Sequence, residues 1–159
     1  MEKMIKIDIP GWGNMEIQNV VLDLNGTIAT DGKIPPEVKE KIRSLSEQAK
    51  IYILTADTQG TASTEGKGIE AELVKLPAED SKKTKFDFLN TLDLERTVAI
   101  GNGNNDQIIL KEAALGVAVL GAEGISVLAL KNADIVVKSI SDALDLLLKP
   151  KRLVATLRE

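Results

Sequence analysis

Hydrophobic residues fall along this chain in short runs separated by amphipathic stretches, and that alternation predicts strands interleaved with helices. MIKIDI and MEIQNVVLDL flank PGWGN, where one Pro and two Gly punctuate a turn, so they predict a hairpin leading into a buried strand. IPPEVKEKIRSLSEQA carries Val38, Ile42, Leu45 and Ala49 at helical spacing, with Pro35 and Pro36 near its start. IYILT predicts a strand, TASTEGKGIEAEL a weak helix broken by glycines, and ELVKL a short strand. SKKTKFDFLNTL puts Lys82, Phe86 and Leu89 on one helical face. RTVAI, LGVAVL and DIVVK then read as strands, and NNDQIILKEAA, GISVLALKNA and SDALDLLLK as helices. The closing KRLVATLRE either extends the last helix or frays.

Strands alternating with helices imply parallel βαβ units. The expected architecture is a three-layer, Rossmann-like α/β fold: a mostly parallel sheet, helices on both faces and an N-terminal β-hairpin. With 159 residues the chain suffices for one domain spanning 1–159, and it shows no internal repeat or linker. A hydrophobic content of 43% with 28% charged residues is that of a soluble globular protein. No apolar run is long enough to span a membrane and MEKMIKIDIPGWG lacks a signal-peptide core, so a cytoplasmic protein is expected.

The net charge of −4 gives no basic footprint for nucleic acid. Cysteine is absent, which excludes disulfides, thiolate metal sites and cysteine nucleophiles. Histidine is absent too, so acid–base or metal chemistry falls to Asp, Glu, Lys or Tyr, and a metal site would be oxygen-lined and suited to a hard cation.

Three predicted strands end in polar, turn-prone residues: LDLNGT, LTADT and IGNGNND. Ligands of such sheets bind beyond the carboxyl ends of the strands, at the switch point in strand order. If the first of these strands lies between the other two, Asp23, Thr55, Asn102 and Asp106 converge on one crevice. Each segment alone has a plainer reading. Asn-Gly supplies a turn, Thr-Ala-Asp a helix cap, and GNGNND only half matches a dinucleotide fingerprint, which wants a third Gly where Asp106 stands.

Together the order is specific: DLNGTIATDG, then LTAD, then a helical lysine, then GNGNNDQIILKEAALGVAV followed by ADIVV. Over residues 18–148 this resembles the haloacid dehalogenase superfamily of phosphohydrolases and phosphotransferases. More narrowly, it is similar to the phosphorylation domain of P-type ATPases, cut free as a soluble protein. The resemblance implies a Mg²⁺-dependent phosphohydrolase or phosphotransferase in which Asp23 becomes phosphorylated. Thr55 would bond a phosphoryl oxygen. Lys82 would hold the nucleophile, preferred over Lys85 because Phe86 and Leu89 follow it at helical spacing. Asn25, Gly26, Thr27 and Ala56 would cradle the phosphoryl group, and Asp23, Asn25, Asn102 and Asp106 would form the Mg²⁺ site, Asn25 through its backbone carbonyl.

Two positions depart from the family pattern. Asn25 stands where phosphatases carry a general acid–base Asp, which implies slow dephosphorylation. Asn102 stands where an Asp binds Mg²⁺, which implies weaker metal binding. The cap domain of many relatives is also missing, since only a few residues separate Gly32 from the helix near Pro36. Neither is there room for the nucleotide-binding domain of the ATPases. The expected partner is a phosphorylated small molecule or a phosphoprotein, with a large partner or a homo-oligomer neighbour covering the open site. The competing reading is a catalytically impaired domain that binds phosphoryl groups or a protein partner.

Overall fold

A computed structural model describes residues 3–29, 31–56 and 69–159. The weak helix expected within TASTEGKGIEAEL falls largely outside these residues. The strands are β1 (Ile5–Ile9), β2 (Gly13–Ile17), β3 (Asn19–Asp23), β4 (Lys50–Thr55), β5 (Glu72–Lys75), β6 (Thr97–Gly101), β7 (Leu115–Val119) and β8 (Ile135–Val137). The helices are α1 (Pro36–Ser46), α2 (Ser81–Leu89), α3 (Gln107–Glu112), α4 (Val127–Asn132), α5 (Ile140–Leu148) and α6 (Pro150–Leu157). KRLVATLRE is thus neither frayed nor a plain extension. Pro150, which lacks an N–H, opens a separate helix whose Leu153 enters the core.

β3 to β8 form one parallel six-stranded sheet in the order β5-β4-β3-β6-β7-β8. β1 and β2 form the expected hairpin, pairing Ile5 with Ile17 and Ile7 with Met15. The run MEIQNVVLDL is divided at Gln18. The Gln18 N–H donates to the Arg96 carbonyl at 2.8 Å and its carbonyl accepts from the Lys50 N–H at 2.8 Å. Burial marks the same division. β1 alternates buried and exposed, as a one-sided hairpin must, whereas Val20 to Asp23 are all buried, as in a strand covered on both faces.

The apolar side chains sort by parity onto the two faces. Val20, Leu22, Ile51, Ile53, Val98 and Ile100 face a core shared with α1, α5, α6 and the hairpin. Val21, Tyr52, Leu54 and Ala99 face a second core with Leu89 of α2, Ile109 and Leu110 of α3 and Ala129 of α4. This is the three-layer α/β fold expected from the sequence. Asp23 shares the parity of Val21, so it emerges on the α2–α3 side.

α3 lies close enough to β7 that a Cβ on Gly116 would come 2.0 Å from the Leu110 carbonyl oxygen. Backbone cannot yield there as a flexible side chain would. Gly116→Ala is therefore expected to lower unfolding free energy by about 3 kcal/mol or more, at the upper end of overpacking penalties. Denaturant titration against wild type measures it.

Candidate active site

β3 lies between β4 and β6, so the carboxyl ends of these strands bring Asp23, Thr55 and Gly101 to one crevice. The cavity there holds about 450 Å³, and Asp23, Asn25, Thr55, Ala56, Lys85 and Asn102 line its wall.

Lys85 organises the floor. Its Nζ donates to Asp106 Oδ1 at 2.8 Å, Asp23 Oδ1 at 3.0 Å and Asn105 Oδ1 at 3.0 Å. Asp106 is fully buried and both its oxygens are taken, Oδ2 accepting from the Asn102 and Gly103 N–H groups at 3.0 Å each. A Cβ on Gly101 would stand 2.4 Å from that oxygen, so glycine is required where the carboxylate folds back on the loop.

Two sequence-based assignments change. Lys82 is exposed, and Lys85 occupies the place assigned to it. α2 turns Ser81, Thr84 and Lys85 toward the cavity, an i, i+3, i+4 face, and Lys82 sits about 100° round from Ser81. Spacing to Phe86 and Leu89 pointed to the core side of the helix rather than to this face. Asp106 is buried behind the cavity wall, where it holds the 102–106 loop and Lys85.

The chain leaves Asp23 through a tight loop. Leu24 carbonyl accepts from the Ile28 and Ala29 N–H groups, and Gly26 takes φ +79°, a left-handed conformation that suits glycine. Thr27 is buried, its hydroxyl 3.3 Å from Asp23 Oδ2 and 3.1 Å from Asn102 Oδ1. It has one proton to share between them. The Asn102 amide is oriented by necessity: Nδ2 donates to the Gly124 carbonyl at 3.2 Å, which turns Oδ1 toward Thr27 and Asp23. Asn25 is exposed at the rim, and Thr55 is buried with Ala56 exposed beside it.

Burial and the neighbouring Asp106 carboxylate raise Asp23 to about 7, while Lys85 and Thr27 pull it down. Burial would lower Lys85, but the two carboxylates outweigh it and raise it overall.

No family model matches the chain. An uncharacterised protein of Methanocaldococcus jannaschii is 54% identical over 82 residues, 49% of this chain and 88% of that protein, so the chain belongs to its family. A soluble P-type ATPase-like phosphatase of the same archaeon is 30% identical over 142 residues, 86% of this chain and 51% of its own. The chain thus spans about half the length of that relative. Among solved structures, a 3-deoxy-D-manno-octulosonate 8-phosphate phosphatase from Moraxella catarrhalis, in complex with magnesium, phosphate and KDO, superimposes with a TM-score of 0.70. It is 14% identical and covers 89% of this chain and 94% of its own. Structures from Legionella pneumophila and Streptomyces avermitilis, assigned by name to the haloacid dehalogenase hydrolases, superimpose with TM-scores of 0.69 and 0.66 at 15% and 19% identity.

The chain has the haloacid dehalogenase fold.

Whether this version of the fold suits a divalent cation can be tested on its charges. Asp23, Asp106 and Lys85 form a buried cluster with a net charge of −1, and the Asp23 and Asn102 oxygens that bracket Thr27 are hard donors. A small cation with retained waters fits that set. Among the described residues no three carboxylates gather around one point, so the set is poorer in charge than a carboxylate cage. Asp23, the Asn25 carbonyl and the Asn102 amide oxygen are the groups that would hold Mg²⁺. Glu123, beyond β7, also lines the cavity and was missed from the sequence. The signal was present, because β7 is a further strand ending on the same edge, in LGAEG.

Replacing Lys85 with Met leaves two buried carboxylates facing each other, and is expected to lower stability near neutral pH by about 3–5 kcal/mol. Lys82→Met should stay within about 0.5 kcal/mol of wild type; paired denaturant titrations distinguish the two lysines. A pH dependence follows from Asp23. Its folded carboxyl titrates above the 3.8 of an ordinary Asp, so the folded state holds the proton more tightly. That favours folding at low pH and is lost as pH rises through about 7. In chelator, Asp23→Asn should therefore match wild type near pH 4 and exceed it in stability above pH 7.

Proposed function

We propose that this chain is a Mg²⁺-dependent phosphatase of the haloacid dehalogenase type that works slowly through an aspartyl-phosphate on Asp23. The observation that carries the reading is the Lys85 ammonium, 3.0 Å from Asp23 Oδ1 at the floor of an open cavity and locked there by Asp106. A nucleophile needs its charge balanced without being consumed, and a fixed ammonium does this. The named relatives support the reaction class, since one is a P-type ATPase-like phosphatase and another a phosphatase bound to magnesium and phosphate.

In the first step an Asp23 oxygen attacks phosphorus. A P–O bond to Asp23 forms as the bond to the leaving oxygen breaks, and that oxygen departs with the electron pair. Lys85 can shift part of its bonding from Asp23 to a phosphoryl oxygen, and Thr55 at the end of β4 faces the same space. The Asn25 and Thr27 N–H groups are further donors near the equatorial oxygens, the Gly26 N–H being bonded to the Ala29 carbonyl at 2.8 Å. Mg²⁺, when bound, offsets charge on the phosphoryl oxygens. In the second step a water oxygen attacks phosphorus, the bond to Asp23 breaks, inorganic phosphate leaves and the water proton passes to solvent.

Asn25 shapes both steps, because an amide can neither protonate a leaving group nor take a proton from water. General acid–base catalysis typically contributes about 10²–10⁴-fold. The enzyme therefore suits leaving groups that need no proton, such as the carboxylate of an acyl phosphate or an aryl oxide. The open cavity suits a phosphorylated small molecule or a phosphoprotein, with a second copy as one way of covering it. The loss of carboxylates at Asn25 and Asn102 favours a second reading, a phosphoryl-binding domain without turnover.

Labelled acetyl phosphate with Mg²⁺ decides between them. The expected result is a stable acid-precipitable label on wild type that Asp23→Asn abolishes, with Asn25→Asp raising turnover of an aryl phosphate by at least tenfold. No label on wild type, with normal folding, would leave the second reading.

A further inference from the structure

The turn that carries Glu123 is built into the site. Gly124 N–H donates to the Gly121 carbonyl at 3.0 Å, closing the turn. Asn102 grips it from both ends: its side-chain Nδ2 donates to the Gly124 carbonyl at 3.2 Å and its carbonyl accepts from the Ser126 N–H at 2.8 Å. On the other side Gly121 passes close to Gly26, with the position of its missing Cβ 3.4 Å from the Gly26 carbonyl oxygen. Glu123 Oε1 and Asn102 Nδ2 lie 3.4 Å and 3.1 Å from a single point, the place a Cβ on Gly26 would take. The Glu123 carboxylate thus reaches the rim of the space bounded by Asp23, Asn25 and Asn102.

It arrives uncommitted. Glu123 shares the cavity wall with Asp23, and these two supply all its carboxylates among the described residues. Asp106 lies behind Lys85 with both oxygens occupied. Glu123 makes no ion pair or hydrogen bond among the described residues. A loose carboxylate beside a phosphate site would repel the substrate anion, so its position calls for a balancing cation.

We propose that Glu123 is a positioning residue for the divalent cation, supplying through the cation's water shell the negative charge that Asn102 lacks. This rests on the cation-dependent reading of the site above. Asn102 gives up a carboxylate, yet its amide nitrogen holds the turn that returns one; an aspartate there could not donate to the Gly124 carbonyl. A glutamate on an exposed turn contributes charge without surrendering waters from a cation that dehydrates reluctantly.

The test is metal affinity rather than turnover. Mg²⁺ binding is followed by calorimetry and Mn²⁺ binding by loss of the free-ion paramagnetic resonance signal, both on the whole chain. A full charge opposite a divalent ion across a partly solvated gap changes affinity by about tenfold. Glu123→Gln should weaken both ions by about that factor, and Glu123→Lys by more. Glu16→Gln is the control for overall charge, since Glu16 pairs with Arg96 just before the start of β6, at the opposite edge of the sheet, and should change nothing. Metal-free unfolding midpoints of the Glu123 variants should equal wild type, which a merely structural role would not allow. Binding by Glu123→Gln within twofold of wild type, or an equal loss in Glu16→Gln, overturns the proposal. A wild type that binds neither ion overturns the cation-dependent function itself.

Discussion

One ammonium held between two carboxylates governs this site. Lys85 alone would be costly to bury, and so would Asp23 and Asp106 facing each other. Together they satisfy one another, and each fixes a different part of the chain. Through Asp106 the ammonium ties the backbone of the 102–106 loop, which in turn requires glycine at 101. Through Asn105, whose Nδ2 donates to Ser81 Oγ at 3.0 Å, the same loop reaches back to the first residue of α2. Through Asp23 it fixes the end of β3. Three segments distant in sequence are thereby locked around one nitrogen atom.

That lock explains how the two asparagines coexist with an intact framework. Asp106 serves both the loop and the lysine: it shares Lys85 with Asp23 and Asn105, and its Oδ2 accepts from both the Asn102 and Gly103 N–H groups. The position of Asn102 is freer. Its backbone does the structural work by donating to Asp106 and accepting from Ser126, so its side chain can be an amide bridging Thr27 and Gly124. Asn25 is at the rim, where its side chain makes no hydrogen bond among the described residues. Amides thus stand at two places where the framework makes no use of a carboxylate.

The same division decides what the sequence made legible. Strand runs of uniform hydrophobicity and helices with clear spacing identified the sheet, its parallel sense and the hairpin. The polar ends of β3, β4 and β6 identified the crevice. What failed was finer than an element. Lys82 and Lys85 lie on one short helix, and periodicity finds its buried face without telling which edge of that face borders the cavity. For Asp106, the motif records that a carboxylate is present, not that it turns back to the 102–106 loop and Lys85. Glu123 went unnoticed because a turn such as GAEG is ordinary; only the approach of Gly121 to Gly26 shows that it belongs to the site. The division of β2 from β3 at Gln18 depends on bonds to Arg96 and Lys50, which are remote in sequence.

Charge balance then links the asparagines to the rate of the reaction. The buried cluster carries −1, and a divalent cation brings it to +1 before substrate arrives. With aspartate at 102 the same site would be neutral. In the proposed function the amide would therefore weaken the hold on the cation while leaving the occupied site more attractive to a phosphoryl dianion. Cation and phosphoryl group come to depend on each other, since each raises the affinity for the other by the same factor. On the proposal above, Glu123 would moderate this by returning negative charge at the rim of the cavity. Under the proposed mechanism an aspartyl-phosphate on Asp23 would be held electrostatically, and the Asn25 amide beside it would draw no proton from the incoming water. On that proposal the ammonium at Lys85 and the amides at Asn25 and Asn102 act in the same direction, toward accepting a phosphoryl group and releasing it slowly.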